Sequence, residues 1–154
     1  MVKRSARSGS SVPEPAAVDV AVLDQIVDGR YSQPHDILGP HPHRDTVTVR
    51  VLRPMAEAVS VVMGDTSFAL SHEHRGVWVG VLPVDEVPDY RLLVTYADEV
   101  FAADDPYRFL PSLGAVDLHL LGEGRHEEMW RVLGAHQHTF DSPHGLIHGV
   151  SFAV

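Results

Sequence analysis

The sequence predicts a mainly β protein, an antiparallel immunoglobulin-like β-sandwich with short flanking helices. Two observations carry this. Apolar residues alternate with period two through six short segments between residues 46 and 102, and no helix among them is long enough for a crossover. Strands joined by short connections must pair antiparallel, and this density of short strands packs as two layers. A chain of 154 residues can bury a core of its own and still carry tails.

Residues 1–15 are rich in Ser, Gly, Pro and basic groups, and no apolar h-region follows, so they predict a disordered tail rather than a secretory signal. Residues 18–28 predict a helix. Val18, Val22 and Ile26 recur every four residues, Leu23 and Val27 widen the stripe, and Gly29 stands where a helix stops. A helix of about three turns is marginal alone and has to dock.

The period then changes to two. Residues 46–53 put Val47, Val49 and Val51 on one face and Thr48 and Arg50 on the other, a half-buried strand closed by Pro54. Residues 58–63 form the next strand, broken at Gly64–Asp65, and residues 67–71 a short third one. In residues 76–82, Val77, Val79 and Val81 lie opposite Trp78, Gly80 and Leu82, and Pro83 follows. Residues 89–96 align Tyr90, Leu92, Val94 and Tyr96 on one face, and a turn at residues 97–99 leads to a last strand at Val100 and Phe101.

Beyond residue 104 the pattern changes again. The segment DPYRFLP (105–111) is extended and bounded by prolines, and residues 116–121 suit a strand or a packed turn. Residues 124–134 predict a short helix with an apolar edge of Met129, Trp130 and Leu133, an i,i+4 pair between Glu127 and Arg131, and Gly134 as its stop. Residues 135–148 have the composition of a linker, and residues 149–154 are a strand-like stub, an ending that suggests truncation. The organisation predicted is a tail (1–15), a sandwich module with flanking helices (16–134), a linker (135–148) and the first strand of a second sandwich (149–154).

Composition excludes several classes of function. With no cysteine, disulfide frameworks, thiolate metal sites and cysteine nucleophiles are ruled out. Twelve basic against 21 acidic residues give a formal net charge of -9, which repels nucleic acid and anionic membrane surfaces but tolerates a neutral polymer such as a glycan. No apolar run reaches membrane-spanning length. The expectation is a cytoplasmic protein without nucleic-acid or membrane partners.

Eleven histidines raise the question of a metal. His35, His41 and His43 share one loop, and His72 and His74 are placed on one strand face. Neither group comes with an HExxH or CxxC spacing to impose tetrahedral geometry, so these read as surface and turn histidines, with no metal or other cofactor expected. The adjacent carboxylates Asp104–Asp105 and Glu127–Glu128 diverge on a strand or helix and share no site. No nucleophile elbow, phosphate loop or triad pattern is present, so no catalytic residue is expected. Among the aromatics, Tyr90 and Tyr96 belong with the core. Trp78, opposite three valines, is the candidate platform for stacking on a sugar ring.

Several stretches carry a family resemblance: PHDILGPHP (34–42), VRVLRP (49–54) with AEAV (56–59), DPYRFLP (105–111), DLHLLGEGRH (117–126) and WRVLGAH (130–136). From about Asp24 onward the chain resembles the N-terminal region of bacterial 1,4-α-glucan (glycogen) branching enzymes of the actinobacterial type, although residues 137–148 depart from that pattern. The resemblance implies a non-catalytic N-terminal sandwich. In such enzymes it is followed by a carbohydrate-binding sandwich of family-48 type, an α-amylase-like (β/α)8 barrel and a C-terminal β domain. The barrel, which cuts α-1,4-glucan and rejoins it as α-1,6 branches through an aspartate nucleophile and a glutamate acid/base, has no counterpart in these residues. The implied partners are the remaining domains of such an enzyme, with Tyr107, Phe109 and Trp130 as packing residues, and α-glucan (glycogen) as a further possibility. The rival expectation is a free-standing glycan-binding or protein-interaction sandwich.

Overall fold

Alternating valines at 47, 49 and 51 fold as strand because each branched side chain packs well on a pleated surface while its neighbours point the other way. The same logic recurs along the chain. The structure, a computed structural model, describes residues 13–154. The tail expected over residues 1–15 therefore falls, as far as residue 12, outside the described residues.

In chain order the elements are α1 (Val20–Val27), β1 (Gly39–His43), β2 (Thr46–Leu52), β3 (Ala58–Met63), β4 (Thr66–Ala69), β5 (Ser71–His74), β6 (Val77–Leu82), β7 (Arg91–Tyr96), β8 (Glu99–Ala103), α2 (Ala115–Gly122), β9 (Gly134–Ser142) and β10 (Gly145–Ala153). Short 3-10 turns lie at Pro34–Asp36, Pro106–Arg108 and Met129–Arg131. Two four-stranded antiparallel sheets, β1-β2-β6-β5 and β4-β3-β7-β8, stand beside a separate β9–β10 hairpin. The predicted β-sandwich is the fold observed.

One core lies between the two sheets. The first contributes Val47, Val49, Val51, Trp78 and Leu82, and the second contributes Val59, Val61, Leu92 and Val94. Leu70 is buried where the chain passes from β4 in one sheet to β5 in the other, and Tyr90 is buried just before β7. Each such side chain contributes about 1.5–3 kcal/mol by leaving water. Gly80 is what makes room for Leu70: a Cβ there would meet Leu70 Cδ2 at 2.5 Å.

The structure reverses the expected sides of β6. Val51 pairs with Trp78 and Val47 with Leu82, so the core face of β6 is Trp78, Gly80 and Leu82. Val77 and Val79 point outward with Leu52 and Arg50, and both are buried. This outer face is covered by α1. Leu23 and Ile26 of the helix are buried, Asp24 accepts from His74 and Arg75 at 2.8 Å each, and Asp28 accepts from Arg75 at 3.0 Å. Because β6 is a central strand with both faces covered, periodicity alone cannot tell which side is the core. The half-buried expectation for β2 changes for the same reason. Thr48 and Arg50 are each only 2% exposed, and Arg50 makes a bidentate pair with Glu73 and donates to the Ala16 carbonyl.

Within the two four-stranded sheets, the strands absent from the prediction are β1 and β5, the two edges of the first sheet. Pro40 and Pro42 suit an edge, where the missing N–H costs no ladder bond. β5 carries no apolar residue, and a bulge between His72 and His74 sends these side chains apart, correcting their placement on one face. His72 Nε2 accepts from the Gly76 N–H at 3.1 Å, while His74 binds Asp24.

The last third differs most from expectation. Residues 116–121 lie in α2, whose first turn is closed by Asp117 accepting from the Gly114 N–H at 3.0 Å and from His126 at 3.1 Å. The helix expected over residues 124–134 is reduced to the single turn Met129–Arg131, and Arg131 pairs with Glu128 at 3.1 Å rather than with Glu127. Residues 135–148, expected as a linker, form β9 and the start of β10, with residues 149–153 completing the hairpin. Threonine, histidine and glycine in this hairpin satisfy the backbone by pairing even though they supply little apolar alternation.

Candidate functional site

The segment DPYRF (105–109) carries two of the residues singled out by sequence, Tyr107 and Phe109, and its position is set by buried polar groups. Asp105 has no exposed surface. Its carboxylate accepts from the Tyr90 hydroxyl at 2.6 Å and from the Tyr107 N–H at 3.1 Å. Arg108 binds Asp89 and the Tyr90 carbonyl, and its guanidinium lies 5.6 Å from the Tyr90 ring centre and 5.0 Å from that of Phe109. Gly39 of β1, with φ of 91°, brings its backbone so near the Tyr107 carbonyl that any Cβ would collide with it.

Burial pushes the Asp105 carboxyl above the usual carboxylate range, against the opposing pull of its two hydrogen bonds. Burial likewise raises the Tyr90 hydroxyl, with the Asp105 charge adding to it. Burial also raises Tyr107. A carboxyl sealed from water cannot meet a substrate, so this cluster is a brace. Asp104 turns the other way, toward Arg91, and the two adjacent carboxylates diverge as the sequence predicts.

The brace presents an apolar cleft of about 380 Å³ lined by His35, Leu38, Val87, Tyr107, Phe109 and Leu110. His35 Nε2 donates to the Phe109 carbonyl at 3.1 Å and meets Tyr107 edge-on at 5.0 Å. Phe109 stacks on Phe140 of β9 with centroids 4.4 Å apart, and Ser142 donates to Asp89 at 2.8 Å. These contacts join the hairpin to the sandwich. A second, smaller cleft of about 170 Å³ lies where the hairpin tip passes Arg91 and Asp104.

Tyr107 and Phe109 are thus brought together, but the other two candidates are not. Trp130 stands apart and is 66% exposed. Trp78, expected to be partly exposed, is only 8% exposed. Its Nε1 donates to the Arg53 carbonyl at 3.3 Å and His72 lies edge-on against it at 5.3 Å, so it has no open face for a sugar ring. Sequence reasoning missed Asp89, Tyr90 and Arg108 as the supports of Tyr107 and Phe109. The only local signal was the charge-and-aromatic density of residues 104–109. Among the described residues, no three His, Asp or Glu side chains come together as a metal-ligand set.

The outer surface of the last third is rich in apolar groups. Leu110, Val116, Trp130, Leu146 and Phe152 are each more than half exposed. Leu146, Val150 and Phe152 line one face of the hairpin, by its register, and all three are exposed.

The family model described as "alpha-1,4-glucan branching enzyme GlgB, N-terminal domain" matches residues 19–107. The 1,4-alpha-glucan branching enzyme GlgB of Rhodococcus jostii (strain RHA1) is 50% identical over 145 residues, covering 92% of this chain and 20% of that protein. The enzyme of the same name from Thermobifida fusca (strain YX) is 50% identical over 137 residues, covering 88% of this chain and 18% of its own length. The chain spans about a fifth of the length of these relatives. Among solved structures, a pullulanase complexed with maltotetraose from Anoxybacillus sp. LM18-11 aligns with 54% of this chain and 13% of its own, at 22% identity and a TM-score of 0.43.

Proposed function

Since this chain belongs to the family of N-terminal domains of alpha-1,4-glucan branching enzyme GlgB, we propose that it is a non-catalytic module of such an enzyme. The enzyme transfers α-1,4-glucan segments to make α-1,6 branches in glycogen, in the cytoplasm. The module packs against neighbouring domains and influences which chain lengths are transferred. No helix among the described residues is long and apolar enough to cross a membrane.

The observation that carries this reading is the exposed apolar surface of the last third. Monomeric proteins rarely leave such groups clustered without a partner. Trp130 and the cleft of Tyr107 and Phe109 are the packing residues. The hairpin, with its open face of Leu146, Val150 and Phe152, is the seam where a second sandwich of carbohydrate-binding type continues.

Amylose stained with iodine tests the catalytic half of this reading. The chain alone is expected to leave the absorbance spectrum unchanged, and a fall in absorbance with purified chain would refute it. The packing half is tested in a full-length branching enzyme carrying this domain. Trp130→Ala there is expected to shift the distribution of transferred chain lengths.

A further inference from the structure

The last third of the chain is tied to the sandwich at few points. The core between the sheets takes nothing from beyond Tyr96. From residue 112 onward only Ala153 is buried, and α2 buries none of its residues. Among the described residues, one hydrogen bond and one ring stack cross from this third to the sandwich, and no ion pair does. Ser142 donates to Asp89 Oδ2 at 2.8 Å, and Phe140 lies on Phe109 with centroids 4.4 Å apart. The other polar contacts of this third close on itself, as where Asp117 holds Gly114 and His126.

Both tie points are open to water. The Phe140 residue is 38% exposed and the Asp89 side chain 30% exposed, so solvent competes for each contact. A segment held by few buried groups and by solvated hydrogen bonds opens at far lower cost than the core beside it. The chain also has a pivot in the right place. Residues 111–114 belong to no helix or strand, and Leu110 just before them is 92% exposed. A few loop residues of this kind absorb the backbone rotation of a hinge. The sandwich side, by contrast, is fixed. Asp89 Oδ1 accepts from Arg108, whose guanidinium lies 5.0 Å from the Phe109 ring centre, so the brace holds both halves of the catch ready.

We propose that residues 115–153 are a hinged arm that pivots about residues 111–114, with Phe140 on Phe109 and Ser142 on Asp89 as the catch of its docked position. Release bares Phe109 and the hairpin face that carries Phe140 and Ile147, opposite the face of Leu146, Val150 and Phe152. The catch therefore sets the angle at which the hairpin leaves the sandwich. That this angle orients a following domain rests on the branching-enzyme reading above, whereas the pivot itself does not.

The whole chain tests this directly, because it has no cysteine. Asp65→Cys on the sandwich and Gln137→Cys on the hairpin, both exposed, take nitroxide labels whose separation is read by pulsed electron paramagnetic resonance. One dominant distance is expected for the docked arm, with a second component of a few per cent. Phe140→Ala raises that second component about tenfold, and Ser142→Ala raises it less. Phe109→Ala removes the same stack while leaving the hairpin sequence intact, and gives the same new component. Distributions unchanged in both phenylalanine variants would overturn the arm. A new component in Phe140→Ala alone would mean that the hairpin has unfolded, and would overturn it too. A fall in the melting temperature of the sandwich by more than about 5 °C in Phe140→Ala would do the same, by showing one cooperative unit. None of these results bears on the iodine experiment, so failure of the pivot is separable from failure of the branching-enzyme reading.

Discussion

Replacing Tyr90 by Phe removes one oxygen and little else. The ring stays between the sheets, so the apolar burial of a side chain with no exposed surface is retained. What is lost is the 2.6 Å hydrogen bond to Asp105 Oδ2. Asp105 is also fully buried, so no water replaces the missing donor, and the carboxylate keeps only the Tyr107 N–H. Hydrogen bonds to charged groups contribute about 1.5–3 kcal/mol, and the upper part of that range applies where the partner is left unsatisfied. At this chain length that corresponds to a fall in melting temperature of roughly 5–10 °C.

The pH dependence adds a second readout. Burial raises the folded pKa of Asp105 above 3.8, so its proton-linked stability is fully present below 3.8 and is lost as pH rises through the folded value. The Tyr90 hydroxyl opposes that rise, and its removal lifts the folded pKa further. The deficit of Tyr90→Phe is therefore largest near pH 7 and shrinks toward pH 3.8, where the acid is neutral in both proteins. Urea denaturation followed by circular dichroism at several pH values measures this. A deficit below about 0.5 kcal/mol at pH 7, or one independent of pH, would refute the brace.

Four further substitutions probe the rest of the fold. Gly39→Ala places a Cβ against the Tyr107 carbonyl at φ 91° and is expected to cost more than about 2 kcal/mol, because backbone cannot yield. Gly80→Ala meets only the end of the Leu70 side chain and should cost about 1 kcal/mol, so thermal melts of the pair should rank them in that order. Arg50→Ala strands Glu73, which is partly solvated, and the Ala16 carbonyl, and a loss of about 2–3 kcal/mol is expected in urea denaturation. Trp130→Ala, at a side chain 66% exposed, should stay within about 0.5 kcal/mol in the isolated chain, which makes its effect in a full-length enzyme attributable to packing between domains.

The β-sandwich was legible because interior strands carry their own record. Val47, Val49 and Val51, or Tyr90, Leu92 and Val94, alternate in sequence as they alternate across a sheet. The two edge strands of the first sheet keep no such record. β1 with its prolines and β5 with its histidines are held by ladder bonds on one side only, and nothing in their composition requires a strand. The candidate site was legible in part for a similar reason. The block from residue 105 to 111 was recognisable as a motif, but its support comes from Asp89, Tyr90 and Gly39, which are near it only after folding.

The sequence by itself determined the fold class and the family, because strand alternation is local and motif blocks are contiguous. Tertiary structure alone decided which side of β6 faces the core. It buried Trp78, reduced the helix expected at 124–134 to one turn, and made a hairpin of residues 134–153. Each of those outcomes depends on what a segment meets across space: α1 over Val77 and Val79, Phe109 against Phe140, or Asp89 beneath Ser142.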